Sequence, residues 1–194
     1  MNSREQILAA VRQHQPAARV LPDVPLFTDE AETSDALINR FAMALEKMGG
    51  KYLAADPALG LAAQIRQLYP AAQRICSAVA GIDGTEAMNA DARELAGVDV
   101  GVVRAAFGVA ETGSVFLSER EYGNNALGYL PQHLLVLLNP AYIVPNLHHA
   151  YQRPEFKSAR YAALVTGPSA TADIEGVLIR GAQGVRSLTL IATP

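Results

Sequence analysis

Apolar positions fall into two spacings along the chain, one helical and one of short unbroken runs. Ile7, Leu8 and Val11 recur at helical spacing and predict a first helix near residues 3–13. Leu37, Ile38, Phe41, Leu45 and Met48 form a longer stripe, predicting a helix from about Asp35 to Met48 that Gly49-Gly50 ends. A third helix is expected from about Pro57, a favoured first helical residue, to Tyr69. The short runs Lys51–Ala54, Arg74–Val79 and Val98–Val103 read as strands. Beyond Phe107 the pattern changes: strands are expected at Val115–Leu117, Leu134–Leu138 and Tyr161–Thr166, with a polar excursion over Glu119–Gly128. Tyr142–Tyr151 reads as helical, as does Thr171–Arg180, and Ser187–Ala192 as a last strand.

Strand and helix alternate, so the expected class is an α/β fold with a mostly parallel sheet. Residues 14–33 hold three prolines and several acids, which predicts an extended arm. The expected organisation is an N-terminal helix and arm over 1–33 and one α/β domain over 34–194. Neither internal repeats nor low-complexity tracts interrupt it.

Composition narrows the picture. The chain has 194 residues, 50% of them hydrophobic and only 18% charged, which suits a sheet buried on both faces. A net charge of -3 with no Lys/Arg cluster argues against nucleic-acid binding. Cys76 is the single cysteine, so the chain alone forms no internal disulfide and offers too few thiolates for an iron–sulfur cluster. Its apolar setting makes it a core residue. The first residues read as an amphipathic helix rather than a signal peptide, and the apolar stretch His133–Val144 is too short to span a bilayer. A cytoplasmic protein is expected.

Two segments carry candidate chemistry. The first, AALVTGPSATADIEG over Ala162–Gly176, reads as a strand, a tight turn and a helix start. Such junctions lie at the carboxyl ends of strands, where ligands bind in open α/β sheets. Gly167, Pro168, Ser169, Thr171 and Asp173 are its candidate ligand-binding residues. Free N–H groups and the two hydroxyls suit an anion; equally, Ser169 or Thr171 caps the helix while the acids complement its dipole. Asp173 and Glu175 lie roughly 200° apart around a helix and do not form a paired acid–base set. The second segment, GVAETGS, places Glu111, Thr112, Gly113 and Ser114 before a buried strand. A carboxylate there is either catalytic or a solvent-facing turn residue beside a glycine of positive φ.

Other signals are weaker. The loop REYGNNALGYLPQH brings Asn124, Asn125 and His133 toward a ligand or simply covers the surface. His148 and His149 are neighbours, diverging by about 100° on a helix, and chelate poorly. Ser169 lies outside a nucleophile elbow, since Thr171 takes the place of its last glycine. A dinucleotide-binding glycine fingerprint is absent.

Together AETGS at 110–114, LPQHLLVLLNPAYIVPNL at 130–147 and TGPSATADIEGVLIRGAQG at 166–184 resemble the lactate-utilisation (LUD) family, in particular its lactate utilisation protein C type. The resemblance covers roughly the C-terminal half. It implies a three-layer α/β sandwich similar to the sugar-phosphate isomerase and CoA-transferase group. It also implies work with two iron–sulfur partner proteins, in an oligomeric system that oxidises L-lactate to pyruvate. The clusters then belong to the partners, and this chain holds no cofactor or metal. By the same likeness, Glu111–Ser114 face Gly167–Thr171 across one cleft. The sequence departs from such proteins at Ala170, where a basic or polar residue is common, so anion binding there relies on Ser169, Thr171 and N–H groups unless Arg104, Arg120 or a partner helps.

Two functions from different classes follow. One is an accessory subunit of the lactate-oxidising system, binding a small carboxylate or organising partners. The other is an independent isomerase or acyl-transfer enzyme with Glu111 as base or nucleophile, and a pure scaffold is a third. Whether the chain is itself an enzyme stays open at this level.

Overall fold

A computed structural model describes residues 2–20, 22–27, 32–82, 84, 91–173 and 176–194. Near the N-terminus, α1 (Ser3–Gln13) starts with a capping box in which Asn2 accepts from the Glu5 N–H and Glu5 reaches back to the Asn2 N–H. It buries none of its residues. Helix α2 (Ser34–Lys47) is capped by the Thr33 hydroxyl and buries Phe41 and Leu45, the centre of the predicted stripe. Gly49, at φ 90°, stops it.

Five parallel strands make the central sheet: β1 (Lys51–Ala54), β2 (Ile75–Ser77), β3 (Val100–Arg104), β6 (His133–Leu138) and β11 (Ser187–Ala192). Their order is β1-β11-β6-β3-β2. Side chains alternate between its faces. Leu134, Val136 and Leu138 of β6 join Phe41 and Leu45 of α2 on one face. Leu135 and Leu137 meet Ile65 of α3 (Leu61–Leu68) on the other. Burial on both faces explains why these strands read as continuous apolar runs. The expected parallel sheet flanked by helices is what the chain forms.

A second sheet was not legible as such. Strands β4 (Phe107–Val109), β5 (Ser114–Ser118), β7 (Ile143–Val144) and β8 (Ala162–Val165) pair in the order β7-β4-β5-β8. One face shares the core of α2, with α4 (Ala92–Leu95) and α5 (Glu119–Tyr122) contributing Leu95 and Tyr122. On the other face Phe107, Val109 and Phe116 meet Ala150 of α6 (Leu147–Gln152) and Phe156 of α7 (Pro154–Ser158). The chain passes from the central sheet to the second one twice, through Ala105-Ala106 after β3 and through 139–142 after β6.

Two predicted helices are corrected. Within Tyr142–Tyr151, Tyr142 closes a 3-10 turn, Ile143–Val144 form strand β7, and the chain turns helical only at Leu147, because β7 pairs with β4 at Gly108↔Ile143. In place of a helix over Thr171–Arg180, β9 (Ala170–Thr171) and β10 (Ile179–Arg180) pair antiparallel, with Ile179 opposite Thr171. A ten-residue helix with Gly176 inside it is marginal, and the backbone at Ser169 bonds elsewhere: its N–H donates to Val185 and its carbonyl accepts from Gly181. Ile174 and Glu175, part of that predicted helix, lie outside the described residues.

Candidate functional site

The chain's largest described cleft, about 640 Å³, opens where the two passages between sheets leave the carboxyl edge of the parallel strands. Ala78–Ala80 follow β2, Arg104 ends β3 with Ala105 and Ala106 after it, and Asn139 and Tyr142 follow β6. Backbone bonds fix this floor: Ala78 donates to Val102 and Ala105 to Leu137. Ligands of open α/β sheets bind at such an edge.

Its polar groups are mostly donors. The Arg104 guanidinium donates to the Thr193 hydroxyl at 2.9 Å, and Thr193 is itself buried. Arg120, on the first turn of α5, makes no side-chain hydrogen bond or ion pair with another described residue. Asn139 uses its carbonyl oxygen on the Ala141 N–H, leaving its amide N–H groups without a described partner. Tyr142 adds a phenol. Among the lining side chains Glu121 is the one carboxylate, and it accepts from both the N–H and the hydroxyl of Ser118 through Oε2, while Pro194 also lines the wall. Two guanidinium groups, an amide and a phenol suit an oxyanion, above all a planar carboxylate.

The two sequence segments meet, but not as two walls of one cleft. Val115 pairs with Val165 across β5 and β8. Next to that pair the Ser114 hydroxyl bonds Thr166, and Thr112 donates to Ser114 at 2.7 Å. Gly113 and Gly167 both have φ 66° and both lie against the end of α2. A Cβ on Gly113 would sit 2.2 Å from the Leu45 nitrogen, and one on Gly167 would sit 2.6 Å from the Met48 carbonyl oxygen. Only glycine fits either place.

Thr166, Gly167, Pro168 and Ser169 line a separate, smaller cleft of about 300 Å³ together with Tyr129 and Gln183–Val185. The Ser169 hydroxyl donates to the Gln183 carbonyl at 2.8 Å. Thr171 lies in β9 and accepts weakly from the Asp173 N–H, and both lie outside that lining. Among the described residues no helix N-terminus stands at this turn, where Ala170–Thr171 runs as strand β9 in place of the expected helix start.

Glu111 is exposed, and its Oε2 accepts the Leu147 N–H at 3.1 Å. Its own N–H donates to the Pro145 carbonyl. It therefore helps Asn146 to cap α6. His148 packs on the ring of Phe27, and Asn146 donates to the Leu26 and Phe27 carbonyls, so the end of the N-terminal arm lies against α6 of its own chain. Cys76 is buried, as expected of a core residue. Among the described residues, no group of three or more His, Cys, Asp or Glu side chains is placed to hold a metal ion, and no helix is long and apolar enough to cross a membrane.

Sequence reasoning reached Arg104 and Arg120 only as helpers of the 167–171 turn, and it missed Asn139 and Tyr142 as cleft residues. The available signal was an isolated arginine directly after an apolar strand, together with Asn139-Pro140 closing another.

Comparison with known proteins agrees with this architecture. A chain solved from Deinococcus radiodurans, a DUF162 family protein, superposes with a TM-score of 0.65 at 18% identity, over 84% of this chain and 100% of that one. YkgG of Escherichia coli K12, a protein described as uncharacterised, is 33% identical over 127 residues, which are 61% of this chain. The match covers 54% of YkgG, about half the length of that relative. The family model of the LUD domain matches residues 52–193, from β1 to the last residue but one, so the chain belongs to the LUD domain family.

Proposed function

We propose that the chain is an accessory subunit of an iron–sulfur L-lactate-oxidising system and that the cleft at the carboxyl edge of its parallel sheet receives the carboxylate of the substrate or product. Membership of the LUD family implies involvement in lactate utilisation in general. The observation that carries the finer reading is the pair Arg104 and Arg120 in one cleft at the carboxyl edge of the parallel sheet. Oxidation of lactate to pyruvate releases two electrons and two protons. In this reading the electrons leave through clusters held by two partner proteins. The residues of this chain bind and orient: Arg104, held by Thr193, and Arg120 take the carboxylate, while Asn139 and Tyr142 supply donors to the neighbouring oxygen.

Thermal unfolding with lactate, pyruvate and the pyruvate mimic oxamate tests the site, because a ligand of the folded state raises the midpoint. Arg104→Gln and Arg120→Gln are expected to weaken oxamate by about tenfold or more, as loss of a charge-assisted hydrogen bond costs roughly 1.5–3 kcal/mol. Arg66→Gln, exposed on α3, controls for charge. The subunit role is expected to show as co-purification with cluster-bearing proteins and lactate oxidation only when they are present. Complete lactate oxidation by the isolated chain defeats the accessory role. Oxamate binding indifferent to both arginines defeats the site.

A further inference from the structure

A second cleft, about 490 Å³, lies at the opposite, amino-terminal edge of the central sheet. We infer that this cleft is a binding site for an organic phosphate, with Lys51, Arg186 and His133 holding the phosphate and the end of α3 covering the organic body. The inference is independent of the lactate reading, which concerns the other edge.

The sheet order brings the residues together. Lys51 opens β1, Ser187 opens β11 and His133 opens β6, and β11 lies between the other two. Ser187 and His133 are register partners, and the His133 Nδ1 and Ser187 hydroxyl are 2.8 Å apart. Arg186 precedes β11, held by its N–H bond to the Gln132 carbonyl. The sequence places these cations far apart, so only the strand order reveals the cluster.

Two cations, Lys51 and Arg186, face a single carboxylate, Asp99, on this edge. Neither Lys51 nor Arg186 makes a side-chain hydrogen bond or ion pair with another described residue. Asp99 is the one carboxylate in the lining, and its Oδ2 is occupied by the N–H groups of Gln73 and Arg74 at 2.8 and 2.9 Å. His133 Nε2 has no described partner, whereas its Nδ1 is taken by Ser187. Burial and nearby Arg186 hold the ring toward its neutral form. A neutral ring with Nδ1 bound can present its other nitrogen as a donor to an anion. A phosphate monoester brings roughly −1.5 to −2 charges at neutral pH and three acceptor oxygens, matching two cations and a ring N–H better than a single carboxylate does.

Beyond Gln132 and Thr189 the remaining wall is apolar. Leu68, Pro70, Ala71 and Ala72 lie beside the Tyr69 ring, which tilts toward His133 at 5.1 Å between centroids. Tyr69 is fixed there by its hydroxyl, which donates to Thr189 at 3.0 Å. A cleft of several hundred Å³ with a mainly apolar wall and a few convergent polar groups has the form of a small-molecule site. The polar cluster selects the phosphate; the tilted rings and the α3 end select a flat, apolar body.

Phenyl phosphate is a suitable probe, with benzoate and inorganic phosphate beside it. Millimolar phenyl phosphate is expected to raise the unfolding midpoint of the full chain more than either comparison ligand. Lys51→Gln and Arg186→Gln are each expected to weaken it about tenfold, and Arg104→Gln is expected to leave it unchanged. Retained binding in Arg104→Gln also separates this site from the lactate site, whatever becomes of that one. If Arg186→Gln does not fold, Lys51→Gln and the His133 ring resonances of the unaltered protein decide: phenyl phosphate is expected to shift them. Equal stabilisation by benzoate, indifference to Lys51→Gln, or unmoved His133 resonances would each overturn the assignment.

Discussion

Ser114 and Thr166 share a hydroxyl–hydroxyl hydrogen bond that joins residues 52 positions apart, one from each of two sequence segments that pointed to the family. Thr112 extends the chain of hydroxyls by donating to Ser114. Each segment also supplies the glycine next to its hydroxyl, and both glycines meet α2. The shared function of the two segments in this structure is to seat the second sheet on α2.

That linkage has a measurable strength. Ser114 is buried, so Ser114→Ala leaves the Thr112 and Thr166 hydroxyls short of a partner and is expected to cost about 1–3 kcal/mol. Thr166→Val is expected to cost a similar amount. In a double-mutant cycle the pair together should cost less than the sum, since the second change removes a partner already lost. Urea unfolding of the four proteins measures it, and strict additivity would show that the bond contributes nothing.

Gly113→Ala and Gly167→Ala are expected to be among the most damaging single changes in the chain. Each combines a φ of 66° with a Cβ driven into backbone atoms that have no freedom to rotate away. A loss above about 3 kcal/mol is expected for each, in the class of strain and overpacking effects. Gly60→Ala supplies the comparison: its φ is −68° and an added Cβ meets nothing within 4 Å. Unfolding midpoints that fall equally in all three would contradict the close approach to α2.

How much of this was legible depends on burial. Ser187–Ala192 runs over the residues its apolar run marked, because a parallel strand covered on both faces leaves little room for polar positions. Helix α2 was equally plain, with the stripe and the Gly49-Gly50 stop agreeing. The second sheet was harder to see. Phe107–Val109 and Ile143–Val144 are too short to carry a period, and they exist through pairing with each other. The segment 170–180 looked helical from Ile174, Val177 and Leu178, yet Val177 and Leu178 are 60% and 57% exposed, so apolar spacing there marks no buried face. The clefts were least legible, since each gathers residues from separate strand ends and strand order is not written in local pattern.

Glu111 provides a direct contrast between a structural and a chemical carboxylate. Its contact with the Leu147 N–H asks only for an acceptor oxygen, which Gln also has. Glu111→Gln is therefore expected to cost about 0.3–1 kcal/mol, the loss of charge at a helix N-terminus. Lactate oxidation by the reconstituted system should stay within about threefold of the unaltered level, a barrier change under about 0.7 kcal/mol. A hundredfold loss of turnover with unchanged stability would move Glu111 into the chemistry.

Acid is expected to weaken the fold in two separate steps. Asp99 accepts from the Gln73 and Arg74 N–H groups and Glu119 from those of Arg160 and Tyr161, and these bonds hold both carboxyls below their ordinary values of 3.8 and 4.5. With the folded value depressed, the unfolded chain takes up protons first as pH falls. The stability from these groups is complete above the ordinary values and disappears as pH drops through the lower, folded ones. His133 has the same sign at higher pH: burial, then Arg186, push it below 6.5, so stability declines as pH falls from about 6.5 toward its folded value. Urea midpoints across this range should show both declines. His133→Gln is expected to flatten the upper one and Asp99→Asn to soften the lower one. An upper decline that persists in His133→Gln would assign it to another group.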